Sequence, residues 1–402
     1  MDNYWNYLKL VEFTNPDGLM CDGDWIESKD QDPHGEVRLI QLADIGDGFF
    51  LNKSSRYLTY NKAKDLNCTF LNNGDILVAR MPDPIGRACI FTDIGRPAIS
   101  VVDVCIIRVN NSVVNRWLMY VINSKLIRNE IISRRGGSTR PRIARRELEA
   151  LEIPTPPFSE QMKIADTLST WDRAIERVQR LIEAKKRQKN QLVSRLLSGQ
   201  KRFPNFQDEW KQVKLGTFLH PKFRKVVKPA GAYLRLGIRS HGKGTFTSVV
   251  DDPETIALTH LFQARKDDLI VNITFAWEGA IALVGPDGDG ALVSHRFPTY
   301  VFVTSKMLPE YFKHLMVTDR FFYELDLISP GGAGRNRVMN KGDFLKITVT
   351  IPGVEEQKKI AGVLGGMDEQ IALLKKYLEK LKEQKKGLMQ KLLTGEIRVK
   401  AD

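Results

Sequence analysis

The sequence predicts an α+β protein: two mixed α/β domains separated by two long helices that form an antiparallel intramolecular coiled coil, with internal pseudo-two-fold symmetry. Three observations predict it. EQMKIADTLSTWD at residues 160–172 returns as EQKKIAGVLGGMD at residues 356–368, 196 positions later in a chain of 402. Both copies carry an apolar residue every 3.5 positions. The segments before each copy are built of short β-branched runs. Repetition at a fixed offset governs the whole architecture, and this offset is far too long for a solenoid. It fits a duplicated half-molecule.

Residues 160–199 laid without gaps on 356–395 give sixteen identities in forty pairs, far above chance. The first seam is Ile164, Leu168, Trp171, Ile175, Val178, Ile182, Lys185, Lys189, Leu192 and Leu196. The second is Ile360, Leu364, Met367, Ile371, Leu374, Leu378, Leu381, Lys385, Leu388 and Leu392. Spacing of 4, 3, 4, 3 held over four heptads is a coiled-coil seam. No proline interrupts either copy. Ser159 can cap the first helix, with Pro154, Pro156 and Pro157 fixing an extended approach, and Ile351-Pro352 does the same for the second. Gly199 and Gly395 follow the last apolar turn, where a left-handed stop is expected. Two seams of equal length in one chain satisfy each other, and a two-fold relation between halves makes the pair antiparallel, a spacer with a globular domain at each end.

The globular parts repeat more faintly. WNYLKL (5–10) matches WKQVKL (210–215), RLIQLADIGDG (38–48) matches LRLGIRSHGKG (234–244), GDIL (74–77) matches DDLI (267–270), and GGSTRPRI (136–143) matches GGAGRNRV (331–338). VRLIQL, DILVAR, YLRLGI and DLIVNITF read as strands bounded by Gly, Pro, Asn and Asp. The expected order is domain 1–152, helix 153–200, domain 201–350, helix 351–402.

A net charge of +13 and a pI near 9.4 favour an anionic partner, most often nucleic acid. Cys21, Cys68, Cys89 and Cys105 form no Cys-x-x-Cys pair, and the six histidines show no ligand spacing, which argues against a disulfide framework or a metal site and fits a reducing cytoplasm. The N-terminus has no apolar signal region, and no apolar run approaches the length of a membrane span.

Three patterns imitate catalytic motifs. Gly237-Ile-Arg-Ser-His-Gly242-Lys243-Gly244 approaches a P-loop, but Gly244 stands where magnesium needs Ser or Thr. A turn between strands explains it and its partner Gly46-Asp47-Gly48. Thr155-Pro156-Pro157-Phe158 resembles the tetrad of amino-methyltransferases but lacks the amide or carboxylate at its first position. Asp75 and Asp268 recur, but one acid per domain is no acid–base pair, so a strand-end or turn role is expected. The sequence offers no positive sign of an enzyme.

The arginine-rich turns are the candidate DNA contacts: Arg134, Arg135, Arg140 and Arg142 before the first helix, Arg335, Asn336 and Arg337 before the second, and Lys243 besides. Glycines let the backbone approach closely, and arginines bind phosphate or the guanine edge.

The order of domain, IPTPPFSEQMKIADTL (153–168), domain, IPGVEEQKKIAGVL (351–364), with LLSG (196–199) and LLTG (392–395) closing the helices, resembles the specificity subunits of Type I restriction–modification systems. The resemblance covers nearly the whole chain; the second copy lacks the double proline. It implies that each globular half is a target recognition domain for one half of a split, asymmetric DNA site. The helices would set the gap and dock two methyltransferase subunits, with restriction subunits joining a host-defence nuclease. It further implies that this chain binds no cofactor. S-adenosylmethionine would serve adenine-N6 methylation in the partner methyltransferase, and ATP and magnesium would serve the restriction subunit. The competing expectation is a coiled-coil scaffold with no DNA role.

Overall fold

The computed structural model describes residues 5–81, 84–332 and 337–399. The chain divides into two compact units, residues 1–179 with 376–402, and residues 180–375. Each is a globular domain plus the head of one long helix and the tail of the other.

The first unit runs β1 (Asn6–Lys9), β2 (Leu19–Asp22), β3 (Val37–Ile40), β4 (Tyr57–Leu58), α1 (Tyr60–Asp65), β5 (Ile76–Ala79), β6 (Ala88–Ile90), β7 (Ala98–Ser100), β8 (Val104–Arg108), α2 (Asn115–Ile122), α3 (Lys125–Ser133), α4 (Arg145–Glu149), β9 (Glu152–Thr155) and the head of α5 (Phe158–Leu197). One antiparallel sheet has the order β2-β8-β5-β6, and a second, β4-β3-β7, pairs β3 and β7 in parallel. β1 lies antiparallel to β9, so the start of the chain flanks the strand that feeds α5. The core joins Ile76, Val78, Cys105 and Ile107 of the sheet to Trp117, Ile127 and Ile131 of the helices. It also takes in Ile164 and Leu168 of α5 with Leu392 and Leu393 from the far end of the second long helix.

The second unit runs β10 (Lys211–Lys214), β11 (Leu219–Pro221), β12 (Lys225–Val227), β13 (Tyr233–Ile238), β14 (Thr245–Val250), β15 (His260–Gln263), β16 (Leu269–Val271), β17 (Ile281–Leu283), β18 (Leu292–Val293), β19 (Thr299–Phe302), α6 (Pro309–Leu315), α7 (Asp319–Leu327), α8 (Lys341–Phe344), β20 (Thr348–Ile351) and the head of α9 (Val354–Leu393). Its sheet β11-β19-β16-β17 repeats the order of β2-β8-β5-β6, and its parallel pair β13–β18 repeats β3–β7. Strands β12 and β15 extend that second sheet to five. The duplication legible in the helices therefore extends to sheet topology.

Both helices are 40 residues, about 60 Å at the α-helical rise. They start at Phe158 and Val354, within the segments expected to hold them. The extended approach expected before each is a strand, Glu152–Thr155 paired to β1 and Thr348–Ile351 paired to β10. Ser159 is inside the first turn rather than capping it; the carbonyl of Pro157 takes the amides of Glu160 and Gln161. Gly199 and Gly395 end the helices with φ of 73° and 76°, the left-handed stop expected of glycine.

Within the first unit Ile164, Leu168, Leu378, Leu381 and Leu392 are buried, and within the second Ile182, Leu196, Ile360, Leu364, Met367 and Ile371. Trp171, Ile175, Val178, Leu192, Leu374 and Leu388 are half-buried. The polar seam positions have partners. Lys385 Nζ donates to Asp172 at 2.6 Å in the first unit, and Lys189 Nζ to Asp368 at 2.6 Å in the second. Lys385 also sits 5.1 Å from the centre of the Tyr120 ring, whose hydroxyl donates to Asp172. His314 on α6 faces Lys189 and Asp368; burial and then Lys189 push its pKa down to about 4, which keeps it neutral.

The repeated Glu-Gln at each helix head is a clamp. Glu160 accepts Arg398 Nε and Nη2 at 2.8 and 2.7 Å, Trp5 Nε1 at 3.2 Å and the Val399 amide. Glu356 accepts Arg202 Nε and Nη2 at 3.0 and 2.8 Å and Trp210 Nε1 at 3.2 Å. Gln161 accepts the Val114 amide ahead of α2 and donates to Pro156; Gln357 accepts the Leu308 amide ahead of α6 and donates to Pro352. The Trp5 ring lies against Gly395 and the Trp210 ring against Gly199.

Burial raises the Glu160 pKa, but Arg398, the Val399 amide and Trp5 outweigh it and hold it below the ordinary 4.5. The clamp's contribution is therefore complete above pH 4.5 and is lost as pH falls through the lowered folded value. Glu160→Gln should destabilise the first unit by about 2 kcal/mol at pH 7, since it removes charged hydrogen bonds from a buried acceptor. It should also flatten the acid limb of the stability–pH curve. Chemical denaturation of wild type and variant from pH 7 to 3 checks both, and equal stability at pH 7 would remove the clamp from the account.

Candidate nucleic-acid interface

The first arginine-rich turn is pinched shut by its own backbone: the amides of Gly136 and Arg142 each donate to the other's carbonyl at 2.9 Å. Ser138, Thr139 and Arg140 project at its tip, all exposed. Gly137, at φ 90°, makes the fold-back possible, because a Cβ there would sit 3.0 Å from the Arg140 carbonyl. Arg140 has no ion-pair partner among the described residues. Arg142 is half exposed and only 4.0 Å from Asp103, a weak pair at the surface. Arg134 turns back to Glu130 at 3.5 Å and the Ala150 carbonyl at 3.4 Å, and Arg135 is exposed.

In the second turn Arg335 and Asn336 lie outside the described residues. Arg337 is tied down: it donates to Asp326 Oδ1 at 2.6 Å, to the Asp326 and Ser329 carbonyls, and stacks 4.9 Å from the Trp277 ring centre. The matched positions Arg142 and Arg337 thus do different work. Arg142 offers its charge outward, whereas Arg337 is tied to the end of α7.

Lys243 stands at the tip of the β13–β14 hairpin, so the P-loop look-alike is the strand turn its sequence suggested. His241, Gly242 and Gly244 all take positive φ, at 61°, 63° and 83°. The tip is anchored: the His241 and Gly242 amides donate to the Glu278 and Gly279 carbonyls, and Ser240 Oγ to Glu278. A Cβ on Gly242 would meet Val317 at 2.5 Å, and one on Gly279 would meet the Phe322 ring at 2.8 Å. Lys243 is exposed, with no ion-pair partner among the described residues.

Asp75 and Asp268 are strand-end anchors. Asp75 accepts Arg108 Nε and Nη2 at 2.8 Å and the Asn72 amide; Asp268 accepts both Arg224 η-nitrogens and the Arg265 amide. Thr155 closes β9, and the Pro156 carbonyl serves Gln161, which accounts for the proline tetrad. All four cysteines are free; burial pushes the Cys89 thiol up to about 12. Among the described residues no cluster could hold a metal, and no helix is long and apolar enough to cross a membrane.

Two units of like sheet topology, each completed by the head of one long helix and the tail of the other, with exposed basic residues such as Arg140 and Lys243, define a duplicated, basic modular protein. The model of the Type I restriction modification DNA specificity domain matches residues 22–186 and again 208–383, and the chain belongs to that family. It is 26% identical over 374 residues to a putative Type I restriction enzyme MjaX specificity subunit of Methanocaldococcus jannaschii, covering 86% of this chain and 83% of that one. It is 25% identical over 303 residues to the MjaVIII specificity subunit of the same organism, covering 71% and 70%. Its fold is similar to the crystal structure of a Type I S subunit from M. genitalium, with TM-score 0.58, 16% identity, and 98% and 97% of the two chains covered. It is also similar to that of the HsdS subunit from Thermoanaerobacter tengcongensis, with TM-score 0.51, 16% identity, and 99% and 98% covered.

Arg337→Ala should cost the second unit about 1–2 kcal/mol through the lost charged bond and ring stacking. Arg140→Ala should leave thermal unfolding unchanged. Calorimetry on the two variants distinguishes an anchoring arginine from a presenting one.

Proposed function

We propose that the chain is the sequence-specific DNA recognition subunit of a Type I restriction–modification enzyme. Each globular domain reads one half of a split, asymmetric site; the long helices set the gap and dock two methyltransferase subunits, and restriction subunits join the assembly. The carrying observation is that one module, domain plus clamped helix head, is built twice with different exposed side chains. One domain spans few base pairs, and two at fixed separation read two tracts, as paired domains do in dimeric DNA binders. A scaffold without a DNA role leaves the family match over both modules and the charge of +13 unexplained.

In this reading the chain supplies the address and no chemistry. S-adenosylmethionine belongs to the methyltransferase subunits, and ATP and magnesium to the restriction subunit. Arg140 and Arg142 serve one half-site, with Arg134 and Arg135 at the base of the same turn. Lys243 and the turn of Arg335, Asn336 and Arg337 serve the other, Arg337 as the residue that positions its turn. The absence of a membrane-length helix among the described residues accords with work on cytoplasmic DNA.

Deleting the gene alone should abolish N6-methyladenine at one split, asymmetric motif in the host genome, read by single-molecule sequencing. The Arg140→Ala, Arg142→Ala double variant should loosen or weaken one half of that motif only. An unchanged methylome on deletion, with the methyltransferase expressed, would reject the reading.

Helix length should set the gap. Four residues inserted at matched points of α5 and α9 add about 6 Å, roughly two base pairs at 3.4 Å each. The methylated motif should keep both half-sites with a longer gap; altered half-sites over an unchanged gap would refute this role for the helices.

A further inference from the structure

We propose that the β13–β14 hairpin is a two-stranded ribbon that enters a groove of the DNA, with Arg235 and Arg239 as base-contacting residues of the second half-site and Lys243 at its tip on the phosphates. The inference rests on the DNA-recognition reading above and goes beyond the turns that first suggested it.

Residues alternate sides along a strand, so Arg235, Gly237 and Arg239 share one face. Phe246 lies opposite Gly237 and covers it; a Cβ on Gly237 would stand 2.4 Å from the ring. The Arg239 guanidinium stacks on that ring, 4.9 Å from its centre, and one η-nitrogen donates to the Thr245 carbonyl at 2.6 Å. Its remaining N–H groups are in a fixed plane and available for an acceptor pair. Arg235 is exposed, and its side chain has no hydrogen-bond or ion-pair partner among the described residues. Phe246 keeps 40% of its surface exposed beside them.

The outer edge of the ribbon is open. β14 is the outermost strand of its sheet, and β13 meets β18 only through Arg235 opposite Leu292. Beyond that point β13 pairs with β14 alone, and the open side of a two-stranded ribbon is of a size the major groove admits. The tip is pre-ordered by its bonds to Glu278 and Gly279. Residues 233–250 include Arg235, Arg239, His241 and Lys243 and not one Asp or Glu.

Within the duplicated frame this surface stands in one copy only. At the offset of 196 the counterparts of Arg235, Arg239 and Lys243 are Leu39, Ala43 and Asp47. Strand β3 is buried throughout, whereas β13 exposes Leu234 and Arg235. The tip glycines are shared, and three basic residues at spacings of four stand only in the second copy.

The test is the host methylome in strains carrying wild type, Arg235→Ala, Arg239→Ala, Arg239→Lys or the gene deletion, with chain levels checked by immunoblot. The alanine variants should lose base preference, or at least tenfold in methylated fraction, at positions confined to one half of the motif. Arg239→Lys keeps the charge but not the planar fork, and should relax the same position. If an alanine variant fails to accumulate, the lysine variant decides. A motif that is lost on deletion yet keeps its full sequence and methylated fraction in the arginine variants would overturn the ribbon and leave the function standing. A methylome unchanged by deletion would overturn the function itself.

Discussion

A buried carboxylate at the head of each long helix constrains everything else in the fold. Glu160 and Glu356 are 2% exposed, and a carboxylate taken from water to that depth must be paired. The pairing arginine comes from the segment that trails the other helix: Arg398 follows α9 and Arg202 follows α5. Each unit is therefore completed by the tail of the opposite helix, and within each unit head and tail run antiparallel. Tryptophan closes the same site from a third direction, with its indole N–H on the carboxylate and its face on the glycine that stops the helix. The left-handed backbone at that stop favours glycine, and the tryptophan ring packs on the same residue, so the helix stop and the clamp are one device.

The second constraint is register. An apolar seam alone permits sliding by a heptad, but a polar pair placed once per unit does not. Lys385 meets Asp172 thirteen residues before Arg398 meets Glu160, and Lys189 meets Asp368 thirteen residues before Arg202 meets Glu356. A slide of one heptad would strand a charge in each unit and break a clamp. These contacts gain little net energy over a well-packed apolar pair; their effect is to make the alternatives worse.

The seam, the helix stops and the duplicated sheets were legible because each rests on a local pattern: a period of 3.5, a glycine after the last apolar turn, β-branched runs between turn residues. What stayed hidden rests on partners distant in the chain. Glu160 and Gln161 stood out as identical pairs at the offset, yet Arg398 is 238 residues from Glu160 and no local rule joins them. The lead-in to α5 read as an extended approach but not as a paired strand, because β9 has only four residues and its partner β1 lies near the start of the chain. Ser159 had the right chemistry for a cap two positions too late. Arg337 read like Arg142, since sequence does not show that Asp326 and Trp277 wait beside it.

Duplication explains why frame and surface separate so cleanly. A gene that doubles begins with two identical domains and a symmetric address. Residues that pair across the module do not change singly without cost, because a lone substitution strands a buried charge or strains the left-handed helix stop. Glu, Gln, Asp and the stop glycines therefore remain at the offset of 196. Exposed positions carry no such penalty, so Ala43 and Asp47 in one copy can be Arg239 and Lys243 in the other without disturbing the tip glycines, while Leu39, buried in β3, is matched by Arg235 where β13 opens to solvent. The same energetic asymmetry that preserves the helix heads leaves the exposed surfaces free to diverge.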